Sequence, residues 1–186
     1  MTNKHGRYWA LAAASVAVVV FGSAQSTGAL WRDDEVVGGG TINSGTLDIK
    51  VGPNGAEVND YVLAALGSAN LGPNGFSQAP LSIRNSGNVP FNFRLQGTTS
   101  TGTVPLVLTA TTVAAETNCP VTGTPTGPTT LLYSGSAAGA QAPTAPAARL
   151  LAAGAREVWC FRLAVDGNPP QSASSTVTFS FRADQT

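Results

Sequence analysis

The chain has 186 residues, which is enough for one domain with a substantial core. Its 10 basic and 10 acidic residues balance, which argues against the clustered lysines and arginines of a nucleic-acid-binding surface. The single histidine is His5. The rest of the chain therefore cannot supply a Ser-His-Asp or Cys-His catalytic site or a histidine-ligated zinc ion.

Residues 1–29 have the pattern of a signal peptide. The positive charges at its start come from Lys4 and Arg7, with His5 between them. Residues 8–22 follow as an apolar run of 15 residues. A membrane span needs about 20 residues, so we expect a cleaved secretory signal, and an uncleaved membrane anchor is the alternative.

A signal peptidase requires small residues before the bond that it cuts, and two positions meet this requirement. One lies after Ala24, and the other lies after Ala29, with Thr27 as its second small residue. Cleavage after Ala29 leaves Leu30 as the first residue. The mature chain then keeps 8 basic and 10 acidic residues, a net charge of −2. We therefore expect a secreted protein that is extracellular or associated with the cell surface.

Residues 30–40 are predicted to form a flexible tether before a domain at residues 41–186. Glycines 38–40 predict a hinge, since glycine leaves the backbone free. Asp33, Asp34 and Glu35 form an acidic cluster that fits either a solvated segment or calcium ligation. The apolar side chains of the tether fold back onto their own domain or dock onto another subunit. They are Leu30, Trp31, Val36 and Val37.

Six segments alternate apolar and polar residues with the period of a β-strand. They are residues 47–51, 81–84, 91–96, 104–109, 159–165 and 177–182. One polar and one apolar face per strand is typical of antiparallel sheets packed on a common core. With an edge strand at residues 131–135, we expect seven or eight strands in a two-sheet antiparallel sandwich.

The connections carry turn signals. "RNSGNVP" at residues 84–90 predicts a hairpin, and "GPNG" at residues 52–55 and 72–75 predicts two similar turns. Residues 56–70 have helix-like spacing and predict a short helix or a covering loop. Three further loops are expected at residues 120–130, 134–148 and 166–172.

Cys119 and Cys160 are the only cysteines. An even number of cysteines in an exported chain predicts a disulfide, and two buried free thiols are the alternative. Two cysteines do not complete a zinc site. We expect no cofactor and no metal ion.

The stretch "STGALWRDD…GGTINSGTLDIKV" resembles the start of the TasA/camelysin family, whose members are exported through a SipW-type signal peptidase. The matching residues are Ala29, Trp31, Asp33, Gly45, Leu47 and Asp48, with Ile49 in the last place. The segments "LGPNGFSQAPLSIRNSGNVPFNFRL", "AAGAREVWCFRLAVD" and "STVTFSFRADQ" are similar to the family's inner and closing strands. Relatives of this group in actinobacteria are known as alternate-signal-mediated exported proteins.

The resemblance implies a jelly-roll-like or Ig-like sandwich in a biofilm-matrix protein that forms fibres. It also implies that an N-terminal strand of one subunit completes the sheet of its neighbour. The assembly residues would be Leu30, Trp31, Asp33, Val36 and Val37. The camelysin branch includes a described metalloprotease, but the absence of histidine after residue 29 argues against an enzyme here.

The sequence thus predicts a structural surface or matrix protein that self-associates or binds matrix and cell-surface proteins. A monomeric secreted binding or adhesion module is the alternative, with its ligand surface in the loops near residues 119–150. In both cases contact with the membrane is limited to the signal segment before cleavage.

Overall fold

The structure is a computed structural model and describes residues 45–185. This part of the chain is an all-β sandwich with two single turns of 3₁₀ helix, at Ala64–Leu66 and Glu116–Asn118. Eight strands are present: β1 Ile49–Gly52, β2 Phe76–Asn85, β3 Phe91–Gly102, β4 Leu106–Val113, β5 Thr130–Ser136, β6 Arg149–Leu151, β7 Arg156–Val165 and β8 Ser175–Gln185.

The strands form two antiparallel sheets. The five-stranded sheet has the order β1-β2-β7-β4-β5, and the three-stranded sheet has the order β6-β3-β8. Every neighbouring pair of strands is antiparallel. The predicted antiparallel two-sheet architecture is confirmed, and β5 is the predicted edge strand.

The core lies between the sheets and is built from the alternating residues that the sequence singles out. Leu81, Ile83, Phe91, Phe93, Leu95, Leu108, Trp159 and Phe161 are each at most 4% exposed. Trp159 lies at the centre, with its ring centroid 5.7 Å from those of Phe93 and Phe181 in the opposite sheet. Burying side chains of this size contributes about 2–3 kcal/mol each.

The hairpin predicted at residues 84–90 is wrong. β2 belongs to the five-stranded sheet and β3 to the three-stranded sheet, so this segment is a corner between them. Asn85, which is fully buried, holds the corner with its side chain. Its Nδ2 donates to the carbonyl oxygens of Val89 (2.8 Å) and Leu151 (3.1 Å), and its Oδ1 accepts from the amide of Gly87 (3.0 Å).

The two "GPNG" segments are both turns, but they close at different positions. In the first, the amide of Ala56 donates to the carbonyl of Pro53, and Gly55 has a φ of 88°. In the second, the amide of Gly75 donates to Gly72, and Asn74 has a φ of 60°. The predicted pair of turns is confirmed, with hydrogen bonds shifted by one residue.

Residues 56–70 cover one side of the sandwich. The predicted helix is reduced to the 3₁₀ turn that buries Leu66. The remainder is irregular and follows the outer edge of β1, where Val51 and Val58 exchange two backbone hydrogen bonds of 2.9 Å. The covering loop, the second of the two alternatives, describes this segment best.

The predicted disulfide joins Cys119 to Cys160. It lies on the outer face of β7, where the alternation predicts only polar residues. Cys160 and its neighbour Val158 are instead buried together with Val113 and Cys119, beneath the loop that follows β4. On the chain-entropy model, a closed loop of this length stabilises the fold by about 4 kcal/mol.

Candidate functional site

The main depression is a groove between the sheets, with a volume of about 870 Å³. One wall is β8, and the other consists of β1 and the covering segment. Its floor includes Leu81 and Leu163 from the five-stranded sheet. The apolar side chains that line the walls are Ile49, Val51, Tyr61, Leu63, Leu66, Val177, Phe179 and Phe181.

The groove leaves the inward face of β8 incompletely covered. Phe91, Phe93 and Leu95 of the neighbouring strand β3 are fully buried. The corresponding side chains of β8, Val177 and Phe179 among them, are only half-buried throughout the strand. The alternation of β8 is that of a strand inside a sandwich, but the described domain does not supply all the residues needed to cover it.

Among the described residues, β8 is also an edge strand of its sheet. Over residues 45–185 it pairs with β3 alone, through 11 residues, so its other side presents unpaired backbone groups. The edge at β1 is occupied by Val58, and β6 has only three residues. β5 is the other open edge, with seven residues. β8 is therefore the longest edge that can accept another strand.

The described chain begins at the corner between β2 and β3, next to the groove. The amides of Ser86 and Asn88 donate to the carbonyls of Asp48 (2.8 Å) and Thr46 (3.1 Å), and the amide of Thr46 donates to the Asn88 Oδ1 (2.6 Å). A Cβ on Gly87 would lie 2.1 Å from the Thr46 carbonyl oxygen. Residues 45–49 and 85–87 thus interlock.

Positive charge flanks the outer side of β8. Arg182 of β8 lies directly opposite Arg94 of β3 and is about half exposed. Arg182 forms an ion pair with Asp184 (2.7 Å), and hydrogen bonding to that carboxylate raises the pKa of the guanidinium. Within the described residues, the Nε of Arg94 is buried without a hydrogen-bond partner. An acidic strand is thus better suited to this edge than a basic one.

The buried carboxylate of Glu57 fixes the covering segment to the five-stranded sheet. The side chain of Glu57 is 2% exposed and lies 3.2 Å from Arg156 and 3.8 Å from Arg84, which are neighbours across β2 and β7. Burial alone would raise the pKa of this carboxyl. Hydrogen bonds from the backbone of Glu57 and Gly55, together with the two arginines, outweigh burial and lower the pKa.

A second groove, of about 730 Å³, lies between the loops at residues 67–73 and 168–174. It shares Leu66, Gly67, Leu163 and Ser175 with the first groove, so both belong to one depression along the open side of the sandwich. Its lining includes Val104, Leu106 and Val165. Sequence reasoning missed both grooves, because their residues come from elements that are distant in the chain.

The predicted cleavage residues, Thr27, Ala29 and Leu30, and the predicted assembly residues lie outside the described part of the chain. Among residues 45–185, no three His, Cys, Asp or Glu side chains approach each other closely enough to hold a metal ion. Nor does any helix in this part have the length and hydrophobicity to cross a membrane.

No protein-family model matches the chain, and no curated protein matches it.

Proposed function

We propose that this is an exported cell-surface or biofilm-matrix structural protein, whose subunits join when residues 30–37 of one copy pair with β8 of another. The observation that carries the proposal is the 11-residue free edge of β8 beside an open apolar groove. Backbone hydrogen bonds along β8 would give affinity, and apolar side chains of the added strand would fill the groove.

The length and charge of the tether fit this edge. Eight extended residues span about 26 Å, most of the length of β8. Successive residues of a strand face opposite sides, so Leu30 and Val36 share one face of the extended tether and can enter the groove at its two ends. On the opposite face, Asp33 and Glu35 put negative charge on the side of the sheet where Arg182 of β8 and, one strand further away, Arg94 of β3 lie.

The topology favours a second copy over the same chain as the source of this strand. Residues 45–48 are fixed at the corner between β2 and β3, and β8 ends at that corner, where Gln185 lies opposite Phe91. A tether that runs straight toward the corner of its own domain is parallel to β8, and only a reversal of the chain at residues 38–44 would make it antiparallel. A tether from another copy is free to run antiparallel, which is the more stable pairing.

Such a contact does not close on itself. Each copy offers a tether at one place and an acceptor edge at another, so the interface is head-to-tail and produces filaments. We also propose membership of the TasA/camelysin group, which the motif of residues 26–51 supports. No enzymatic activity, metal ion or cofactor is part of the proposal.

The first test is electron microscopy of residues 30–186 beside residues 41–186. We expect filaments from the longer protein and none from the shorter one. The shorter protein keeps β8, so a small amount of it added to the longer one should reduce filament length. Monomers of both forms across a wide concentration range would overturn the proposal.

A second test locates the contact without changing the domain. A peptide of residues 30–37 is added to residues 41–186, with a scrambled peptide of the same composition as control. Amide hydrogen exchange should slow along residues 175–185 with the native peptide alone. Protection at β5, or none with either peptide, would contradict pairing at β8.

A monomeric binding or adhesion module is the second candidate, and the groove between residues 67–73 and 168–174 favours it. Its 730 Å³ are sufficient for a small ligand, and its apolar floor with loop walls is typical of such sites. Monomers that bind a soluble ligand, with changes confined to these loops, would support this function instead.

A further inference from the structure

We propose that the loop following the disulfide is a site of O-linked glycosylation, with Thr122, Thr124 and Thr129 as the acceptors. The inference depends on export of the protein, as does the proposed function, but not on the formation of filaments. It assigns a role to the threonine- and proline-rich segment that the groove and the tether do not use.

The loop displays its threonines to solvent. Residues 122–130 contain five of them, interrupted by Pro125 and Pro128, and all five are exposed. Residues 119–129 form neither helix nor strand. Proline holds the preceding residue in an extended conformation, so the segment around Thr124 is extended and accessible. Threonine with proline in an exposed, irregular segment is the composition of O-glycosylated chains.

The hydroxyl groups of the three proposed acceptors are not used by the fold. Among residues 45–185, hydrogen bonds involve the side chains of Thr126, with Asn118 (3.1 Å), and Thr98, with Ala137 and Ala140, but none involves the acceptors. The loop keeps its shape through Thr126, Asn118 and the disulfide at Cys119. Sugars on the other threonines would therefore leave its hydrogen bonds intact.

The position of the loop gives the sugars a physical effect. The loop leads into β5, the open edge of the five-stranded sheet that lies opposite β1 and the groove. Two large apolar residues beside it, Val121 and Leu131, are 77% and 62% exposed. Sugars here would cover these side chains and obstruct pairing at β5, because hydrophilic bulk protects a sheet edge. β8 would remain open for strand addition.

The reaction needs an activated sugar phosphate as donor and an external glycosyltransferase. The threonine Oγ forms a bond to the anomeric carbon of the sugar. The bond between that carbon and the phosphate oxygen breaks, and its electron pair leaves with the phosphate. The proton of the threonine hydroxyl passes to a base of the transferase or to the phosphate.

The experiment is mass spectrometry of the protein isolated from its natural producer. Trypsin cuts after Arg94 and Arg149, so the three acceptors lie in one peptide, residues 95–149. Thr176 and Thr178 are equally exposed but belong to β8, and they lie in another tryptic peptide, residues 163–182. We expect whole-sugar mass increments on the first peptide and none on the second.

The matched variant replaces Thr122, Thr124 and Thr129 by alanine in the same producer. We expect it to lose the increments while its thermal midpoint stays within about 2 °C of the unmodified recombinant protein, since exposed substitutions change stability little. Increments that persist in this variant would overturn the assignment. An unmodified chain that begins at Leu30 overturns glycosylation alone, and an unmodified chain that retains residues 1–29 also contradicts cleavage of the signal and release of the protein.

Discussion

Replacement of Asn85 by alanine tests whether one buried amide holds the two sheets together at their corner. The substitution removes three hydrogen bonds, two from Nδ2 to the carbonyls of Val89 and Leu151 and one from the Gly87 amide to Oδ1. Each contributes about 0.5–1.5 kcal/mol net, and the groups left behind are screened from water. We expect the free energy of unfolding to fall by about 3 kcal/mol.

Asn88 provides the matched control, three residues away in the same corner. It is exposed, and its side chain accepts one hydrogen bond, from the amide of Thr46 (2.6 Å). Water can replace that bond, so Asn88→Ala should cost less than about 1 kcal/mol.

Urea denaturation of residues 41–186 with the disulfide intact measures both variants. With an m-value of about 1.5 kcal/mol/M, the midpoint should fall by about 2 M for Asn85→Ala and by less than about 0.7 M for Asn88→Ala. Equal shifts for the two variants, at unchanged m-value, would refute the reasoning that burial of the Asn85 amide determines its contribution.

Three further predictions concern the carboxylate, the groove and the disulfide. Glu57 has a pKa below its ordinary value of 4.5, so its stabilisation is complete above that pH and is lost as the pH falls through the folded-state pKa. Glu57→Gln should therefore lower the free energy of unfolding by about 1–2 kcal/mol at pH 7, a value that allows for the partial exposure of both arginines. In urea titrations at acid pH, this deficit relative to the unsubstituted protein should become smaller. A deficit independent of pH would contradict this. Phe93→Ala should lower the free energy of unfolding by about 3–5 kcal/mol, and Phe179→Ala, in the open groove, by about half as much. Equal losses of stability for the two variants in thermal unfolding would mean that the groove is closed. Reduction of the Cys119–Cys160 disulfide should lower the free energy of unfolding by about 4 kcal/mol, and an unchanged urea midpoint in reductant would contradict the loop-entropy estimate.

The strands and the core could be predicted because each inward position follows from local alternation. Phe91, Phe93 and Leu95 are every second residue of one segment, and all three are fully buried. The same holds for Trp159 and Phe161. Alternation depends only on the two-residue period of a strand, so it needs no information on which strands are neighbours.

The corner could not be predicted, because an Asn-x-Gly segment specifies a reversal of the chain and not its partner. Hydrophobic alternation is identical whether β3 pairs with β2 or crosses to the other sheet. The difference lies in the Asn85 side chain, whose partner Leu151 is 66 residues away. Similarly, Val158 and Cys160 occupy positions that the alternation assigns to solvent, and the loop joined by the disulfide buries them.

The groove depends entirely on strand order. Val177 and Phe179 are predicted as core residues, and nothing in their own segment shows that β8 is the last strand of its sheet among residues 45–185. The groove follows from the strand order, in which β3 lies between β6 and β8, and from the position of the covering segment along β1. The disulfide, in contrast, is predicted by the even number of cysteines in a chain that is expected to be exported.

The interlocked corner has a mechanical consequence for a filament. Tension on a subunit would enter the domain through residues 45–48, which are hydrogen-bonded to the segment that joins β2 to β3. Because β2 belongs to one sheet and β3 to the other, the pull is divided between both sheets from the first residue onward. The short strand β1 is therefore not peeled away alone, because the hydrogen bonds of Thr46 and Asp48 to Asn88 and Ser86 must break as well.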